Sequence, residues 1–416
     1  MSDGVVIIGG GQGGFQLAAS LREAGYAEKI TLVGEEPGLP YQRPPLSKAY
    51  LKGEADAEHL ELRPAAFYAD HQVDLVTARV DAIDRAARRV TLSDGLSLPY
   101  DHLVLATGAR NRPLPVPGAD LDGVLYLRTL ADADDLKARL AKARNVVVVG
   151  AGFIGLEFAA VARALGHEVT VLEATQHPMG RAISPTMSAF FAEAHRAMGT
   201  RLVLAAGVVW IHGNDGKVAQ VETTDGALQP PGGVLHPADL VLVGIGVVPN
   251  TELAAAAGLE VANGIVVDAE LRTSDPNISA LGDAVSYPSL HAGAMVRLES
   301  VQNTVDHART IAARLAGRPT AYAAVPWFWS DQSDLKLQMV GLARPTDEAV
   351  LRGDPASRRF SVFRFRDGRL TAIESVNRPA DHMLGRRLLV DPAKPSSLTP
   401  EQAADEGFEL KALLAR

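Results

Sequence analysis

Residues 145–173 read NVVVVGAGFIGLEFAAVARALGHEVTVLE. Four consecutive valines form an unbroken β-branched run, the pattern of a strand buried on both faces. Glycines follow at 150, 152 and 155, apolar residues return at helical spacing up to Gly166, and a second β-branched run ends on Glu173. Strand, glycine turn, helix and strand make a βαβ unit, because parallel strands need a crossover helix. In such a G-x-G-x-x-G turn the first glycine makes the tight bend. The second lets backbone approach a pyrophosphate, and the third lets helix and strand pack closely. The helix N-terminus offers free N–H groups and partial positive charge to the phosphates. Glu173 stands where an acid would hold an adenosine ribose. The same carboxylate would repel a 2′-phosphate and Ala174 supplies no arginine, so the pattern predicts NADH rather than NADPH.

The same order occurs earlier. Residues 5–35 read VVIIGGGQGGFQLAASLREAGYAEKITLVGE, with Gly9, Gly11, Gly14 and Glu35 in the places of Gly150, Gly152, Gly155 and Glu173. A repeat at this long interval points to two homologous dinucleotide-binding domains rather than a solenoid. Two dinucleotides in one chain suggest one held as a prosthetic group and one that exchanges. The stretch LVLATGARNRPLPVPG (103–118) starts as a buried strand and dissolves into proline and glycine, and LVLVGIGVVPN (240–250) does the same after the second unit. Both read as crossings between domains. The strands at IVVD (265–268) and ISALGDAV (278–285) are expected to return to the first domain. From about Val325 the texture changes: LQMVGLA (337–343) and RFSVFRFRDGRLTAIESV (359–376), with its Asp-Gly turn, predict antiparallel hairpins and a smaller α+β domain.

Composition narrows the chemistry. The 416 residues suit two or three domains, and 47% hydrophobic with 22% charged residues marks a globular chain. Cysteine is absent, which excludes disulfide exchange, thiolate nucleophiles and cysteine-ligated metal within the chain. No metal site is expected. The net charge of −8 argues against general nucleic-acid binding. No apolar run reaches the ~20 residues of a membrane helix, and the first strand begins without a basic, cleavable leader. The cytoplasm is the expected compartment.

Seven motifs then carry a resemblance: GxGxxG, YQRPPLSKAYL (41–51), LATG (105–108), the second GxGxxGLE, ALGDA (280–284), RLESVQN (297–303) and PWFWSDQ (326–332). In combination, over essentially the whole chain, they resemble the FAD-dependent ferredoxin reductases of bacterial cytochrome P450 and ring-hydroxylating dioxygenase systems. The resemblance implies an α/β fold with two Rossmann-like dinucleotide-binding domains arranged as in glutathione reductase. An FAD domain (1–112 and 246–324) would be interrupted by an NAD domain (113–245) and followed by an interface domain (325–416).

Carried over by position, the resemblance implies that Gly9, Gly11, Gly14 and Glu35 hold the FAD adenosine half, with Arg43 and Arg128 assisting. Val80 would meet the adenine through its backbone, and Lys48 would lie against the flavin ring. Asp283 would accept a hydrogen bond from the ribityl chain, and Val301 would meet the flavin pyrimidine at a helix start. Gly150, Gly152, Gly155 and Glu173 would take NADH, with Glu157 on the nicotinamide side and paired with Lys48. Trp329, favoured over Trp327, would lie near the flavin and face the redox partner. Residue chemistry alone leaves blander options open: a surface lysine at 48, a turn-capping Asp283, ordinary helix capping at 301 and a packed core aromatic at 329.

Without a cysteine pair, electrons collected from NADH have no internal disulfide to enter. The natural sink is an external one-electron acceptor, and the family supplies a 2Fe-2S ferredoxin. Such ferredoxins are usually acidic, so a locally basic docking patch is expected; the candidates are Arg309, Lys336, Arg378, Arg386 and Arg387. The competing readings are an NADH oxidase or peroxidase on the same architecture, and a non-enzymatic flavoprotein of the apoptosis-inducing-factor type.

Overall fold

The computed structural model describes residues 2–224 and 233–414. The chain forms two compact units, each discontinuous in sequence. The first comprises Met1–Gln42, Glu58–Arg110 and Val248–Phe328; the second comprises Arg43–Ala57, Asn111–Val247 and Trp329–Arg416.

The first unit is built on a five-stranded sheet whose order is Ile278–Ala280, His102–Leu105, Val5–Ile8, Ile30–Gly34 and Val73–Thr77. All four pairings are parallel. The β-branched run Val5–Ile8 lies at its centre and is buried along its whole length, as a strand covered on both faces must be. The strand at 278–280 joins the sheet from late in the chain, as the sequence predicts. The helix Gln12–Glu23 packs on the helix Val301–Leu315, and the approach is close: a Cβ on Gly13 would stand 2.4 Å from Leu281 Cδ1 and 2.9 Å from Thr304 Cγ2. A three-stranded antiparallel sheet, Val80–Asp84, Arg89–Leu92 and Ser97–Pro99, completes this side of the chain.

The second unit repeats the theme. Its parallel sheet runs Arg201–Val203, Glu168–Leu172, Asn145–Val149, Leu240–Val243 and Val124–Leu125, again with the valine run in the middle. A further five-stranded sheet is ordered Trp327–Gln332, Leu335–Gly341, Arg369–Val376, Arg359–Arg366 and Glu348–Asp354, and from Trp329 onward it belongs to this second unit. The hairpin expected at the Asp-Gly pair is there: Arg359–Arg366 and Arg369–Val376 pair antiparallel around Asp367 and Gly368.

A buried charge ties this last sheet to the helix Pro185–Ala197 of the same unit. Glu374 accepts from the Ser184 backbone N–H at 2.9 Å, from the Ser184 hydroxyl at 2.6 Å and from Arg364 Nη1 at 3.0 Å. Ser184 is the N-cap of the helix Pro185–Ala197, so the carboxylate sits at a helix N-terminus, where negative charge is favoured. Burial raises the Glu374 pKa, while Ser184 and Arg364 oppose that rise. A buried ion pair of this kind is costly to break rather than strongly stabilising to make.

Candidate functional site

The two glycine fingerprints fold to the same local geometry. Gly9 N–H donates to Val33 O and Gly150 N–H to Leu172 O, at 2.7 and 2.8 Å. Gly9 has φ +121° and a Cβ there would lie 2.2 Å from Ala106 O; Gly150 has φ +103° and a Cβ would lie 2.5 Å from Gly244 O. On Gly14 and Gly155, a Cβ would meet the carbonyl oxygens of Gly9 and Gly150 at 2.0 and 2.2 Å. The first and third glycines are therefore demanded by the protein's own backbone.

The middle glycines are different. Gly11 has φ −84° and Gly152 φ −77°, conformations any residue adopts. A Cβ on Gly11 would meet nothing within 4 Å, and one on Gly152 only Gly244 O at 3.8 Å. Neither fold nor packing requires glycine there, whereas close approach of a pyrophosphate does. Each is also the N-cap of its helix and provides no side-chain acceptor for the first N–H groups. The helices Leu130–Leu140, Pro185–Ala197 and Val301–Leu315 instead carry Thr129, Ser184 and Ser300 as side-chain caps. Open middle glycines and uncapped N–H donors fit a dinucleotide diphosphate at both turns.

The acids at the ends of the second strands are held unequally. Glu173 accepts from Ala151 N–H at 2.8 Å and from the N–H and hydroxyl of Thr175 at 2.9 and 2.8 Å. Glu35 is exposed and makes no side-chain hydrogen bond or ion pair among the described residues.

The unit that carries the first fingerprint also contains Val80, Asp283 and Val301. Val80 begins an antiparallel strand, with a register irregularity immediately after it. Asp283 lies in the short turn Gly282–Ala284, where Gly282 takes φ +78°. Beneath that turn sits His307, which sequence reasoning missed. Its Nδ1 accepts the Gly282 N–H at 3.2 Å, and its ring stands edge-on to Tyr287 and Tyr322. Both tyrosine hydroxyls donate to Asn303 Oδ1, at 2.9 and 3.0 Å. Burial pushes the His307 pKa down to about 3, so the ring is neutral and its Nδ1 is available as an acceptor. Val301 starts the long helix one residue after its cap, Ser300.

Lys48, Arg43 and Arg128 fall in the second unit. The PPLSK segment folds as a short 3-10 turn, Pro44–Ser47, favoured by prolines in its first turn. Arg43 Nη1 donates to the Arg128 carbonyl at 2.5 Å. Tyr50 donates to Asp134 Oδ1 at 2.5 Å, and that hydrogen bond is the main reason its pKa is pushed up to about 12. Lys137 lies over the same ring, 5.0 Å from its centre. These contacts fix the turn that carries Lys48 against the helix Leu130–Leu140.

Glu157 projects from the second fingerprint helix, two residues beyond Gly155, and is 5% exposed. Lys48 Nζ lies 3.0 Å from its Oε1. Ser47 donates to Oε2 at 2.7 Å and Ser330 to Oε1 at 2.7 Å. A carboxylate and an ammonium withdrawn from water are costly unless their remaining lone pairs are satisfied, and the two hydroxyls do this for Glu157. Ser47 and Ser330 were within the quoted PPLSK and WSDQ motifs, but nothing local in those motifs says that their hydroxyls converge on one carboxylate. Trp329 is half-buried on the strand Trp327–Gln332, one residue before Ser330.

Among the docking candidates, Arg309, Lys336, Arg386 and Arg387 are exposed. Arg309 pairs with Asp306 at 3.3 Å. Arg378 is divided between Asp381 at 2.9 Å and Glu406 at 3.0 Å. Among the described residues no cluster of three metal-ligating side chains occurs, and no helix is long and apolar enough to cross a membrane.

Two parallel sheets, each with a glycine turn that leads into an uncapped helix N-terminus, make a doubled α/β fold. The chain belongs to the pyridine nucleotide-disulphide oxidoreductase family, which matches residues 3–308, and residues 327–414 match the reductase C-terminal family. Rhodocoxin reductase of Rhodococcus erythropolis is 54% identical over 413 residues, 99% of this chain and 94% of that protein. The crystal structure of the ferredoxin reductase for the CYP199A2 system from Rhodopseudomonas palustris superposes with a TM-score of 0.95 at 49% identity, covering 99% of both chains. The reductase in the covalent putidaredoxin reductase–putidaredoxin complex superposes with a TM-score of 0.93 at 41% identity, covering 99% of this chain and 98% of that one.

Proposed function

We propose that the chain is an NADH-dependent, FAD-carrying reductase that delivers electrons singly to a 2Fe-2S ferredoxin serving a cytochrome P450 or another oxygenase. The observation that carries this reading is the Glu157 cluster. A buried carboxylate on the nucleotide helix is joined to Lys48 of the PPLSK turn and Ser330 of the C-terminal sheet, in a chain whose family name refers to a disulfide that it cannot form. The relatives named above are reductases matched over at least 94% of their own length, two of them described with their P450 or ferredoxin partners.

On this reading residues 1–112 and 246–324 hold FAD, 113–245 bind NADH and 325–416 form the interface domain. Gly9, Gly11, Gly14 and Glu35 take the FAD adenosine and diphosphate, with Arg43, Arg128 and the Val80 backbone. Asp283 receives the ribityl hydroxyls, held in place through Gly282 by His307. Val301 offers a helix N-terminus to the flavin pyrimidine. Gly150, Gly152, Gly155 and Glu173 bind NADH. When bound, the flavin accepts an electron pair as hydride and releases electrons one at a time. The protein's part is orientation and exclusion of water. Lys48 presents a fixed positive charge to the electron-rich ring, Glu157 holds that ammonium in place and borders the nicotinamide, and Trp329 closes the site toward the partner.

The docking patch is best read on the helix Pro379–Leu388 and its end. There Arg386 and Arg387 are exposed between Met383 and Val390, which are 50% and 62% exposed. Positions 383, 386, 387 and 390 recur at helical spacing, giving a basic face with apolar flanks that suits an acidic protein. Arg309 and Lys336 extend the candidate set, whereas recruiting Arg378 would break two ion pairs. Anaerobic titration with NADH followed by addition of a 2Fe-2S ferredoxin tests the function. Bleaching of the flavin and then reduction of the ferredoxin are expected, and bleaching with no onward transfer overturns the reading.

A further inference from the structure

Ser330 and Glu157 form the end of a longer chain of hydrogen bonds that runs into the core of the second unit. Gln332 follows Ser330 by two on the same strand and therefore points to the same face; both are fully buried. Its amide Nε2 lies 3.2 Å from Ser330 Oγ and 3.5 Å from Met179 Sδ, and its Oε1 lies 2.8 Å from Nε2 of His195. His195 is fully buried on the helix Pro185–Ala197.

Chemistry fixes the orientation of every group here. A thioether sulfur can only accept, so the NH2 end of Gln332 must face Met179 and Ser330. The oxygen then faces the imidazole, and His195 must carry its proton on Nε2. Burial pushes the His195 pKa down, which keeps it neutral, and its Nδ1 has no partner among the described residues. Met179 is itself held in an unusual way. It takes φ +53°, rare for a side chain of this kind, and donates its N–H to Ala151 O at 2.9 Å, inside the second glycine turn.

We propose that His195 and Gln332 are positioning residues for the Glu157–Lys48 pair: they impose one direction on the hydrogen bonds, from His195 to Gln332 to Ser330, so that the Ser330 proton is committed to Glu157. A hydroxyl both donates and accepts. Once Gln332 has donated to Ser330 Oγ, the proton of that hydroxyl is left facing the carboxylate. A glutamine fits this place because its two ends differ. One end satisfies a hydroxyl and an acceptor-only sulfur, and the other takes an imidazole N–H. The inference rests on the reading of Lys48 and Glu157 as the pair beside the nicotinamide.

The test is anaerobic stopped-flow reduction of the FAD-loaded protein by NADH, giving a limiting rate and a half-saturating NADH concentration. Loss of one hydrogen bond to a charged group is expected to slow Ser330→Ala and Gln332→Leu by about tenfold. Half-saturation should stay within about twofold of the parent, because the effect is on orientation at the reacting end and not on uniform binding. The double variant Ser330→Ala/Gln332→Leu should be no slower than Ser330→Ala alone, since Gln332 acts through Ser330. A parental rate in Gln332→Leu, or losses that add in full, overturns the inference. Should Gln332→Leu not retain FAD, the pair His195→Gln and His195→Leu decides. Gln keeps an N–H for Gln332 Oε1 and is expected to keep the faster rate, and equal rates overturn the inference. Lys48→Met and Glu157→Gln, measured alongside, separate the two levels. If these retain the parental rate, the underlying reading fails; if they are slow and Gln332→Leu is not, only the positioning role fails.

Discussion

The two glycine turns are close to superimposable in their hydrogen bonds and close contacts, yet they treat their acids in opposite ways. In the second, the protein supplies three donors to Glu173, one of them from the turn itself through Ala151. In the first, Glu35 meets no donor from the described protein. On the proposed assignment of FAD to the first turn and NADH to the second, the difference corresponds to what each site would have to do. A site that must receive and release NADH at every turnover benefits from an acid already aimed, because less ordering is left for each binding event. A site that keeps its FAD can leave the acid for the cofactor to engage once.

The largest effect is expected at the third glycine of each turn. Gly14→Ala and Gly155→Ala each force a Cβ to about 2 Å from a carbonyl oxygen, an overpacking that is expected to cost about 3 kcal/mol or more. Thermal unfolding should show both to be severely destabilised, with Gly14→Ala also losing its FAD.

Acid should attack the first unit through the histidine beneath its ALGDA turn. His307 is neutral in the fold, with a pKa of about 3 against an ordinary 6.5, so below about pH 6.5 the unfolded chain binds more protons than the folded one. Stability is thus complete above that pH and is lost progressively as pH falls toward the folded value. The slope contributed by this one residue is about 1.4 kcal/mol per pH unit. Melting temperature against pH, with flavin fluorescence reporting release, is expected to show a shallower acid limb in His307→Gln, which removes the titration while keeping an acceptor for Gly282. His102, also held near 3 chiefly by burial, leaves part of the slope in place.

The middle glycines should separate the two turns by cofactor rather than by stability. Gly11→Ala and Gly152→Ala meet almost no protein atoms, so both should fold within about 1 kcal/mol of the parent. Their losses should separate by cofactor. FAD content should fall in Gly11→Ala, whereas Gly152→Ala should keep its FAD and require about tenfold more NADH, a difference of about 1.4 kcal/mol. Loss of the same cofactor in both variants would count against two distinct sites.

The smallest effect is expected at the acid itself. Glu173→Ala should narrow the preference for NADH over NADPH by about fivefold, the scale of one modest electrostatic contact. Unchanged selectivity in steady-state assays with the two nucleotides would refute that role.

Much of this was legible because it is local. The strand, turn, helix and acid of each fingerprint lie within about thirty residues, and each glycine has its own steric reason. The hairpin at Asp367–Gly368 was legible for the same cause. What the chain did not announce is long-range. Nothing near Gly282 indicates that His307 will accept its N–H, and nothing in WSDQ indicates that Gln332 will meet a histidine on a helix more than a hundred residues earlier. Such partners are chosen by packing, and single residues of common type carry no period or spacing to reveal them. Arg378 shows the converse: a charge that reads as surface is committed to Asp381 and Glu406 by the fold.

The buried Ser184–Glu374–Arg364 contact has a consequence for engineering. Reductases of this class invite shuffling, in which the C-terminal portion of one is joined to the nucleotide-binding portion of another to redirect electrons to a new acceptor. Here the seam is not neutral. Glu374 is the acceptor for a serine N–H and hydroxyl 190 positions earlier, so a donor sequence lacking either partner would leave a charge or a helix end stranded in the interior. Compatibility at those three positions is a requirement for a working chimera, ahead of any choice made on the partner-facing surface.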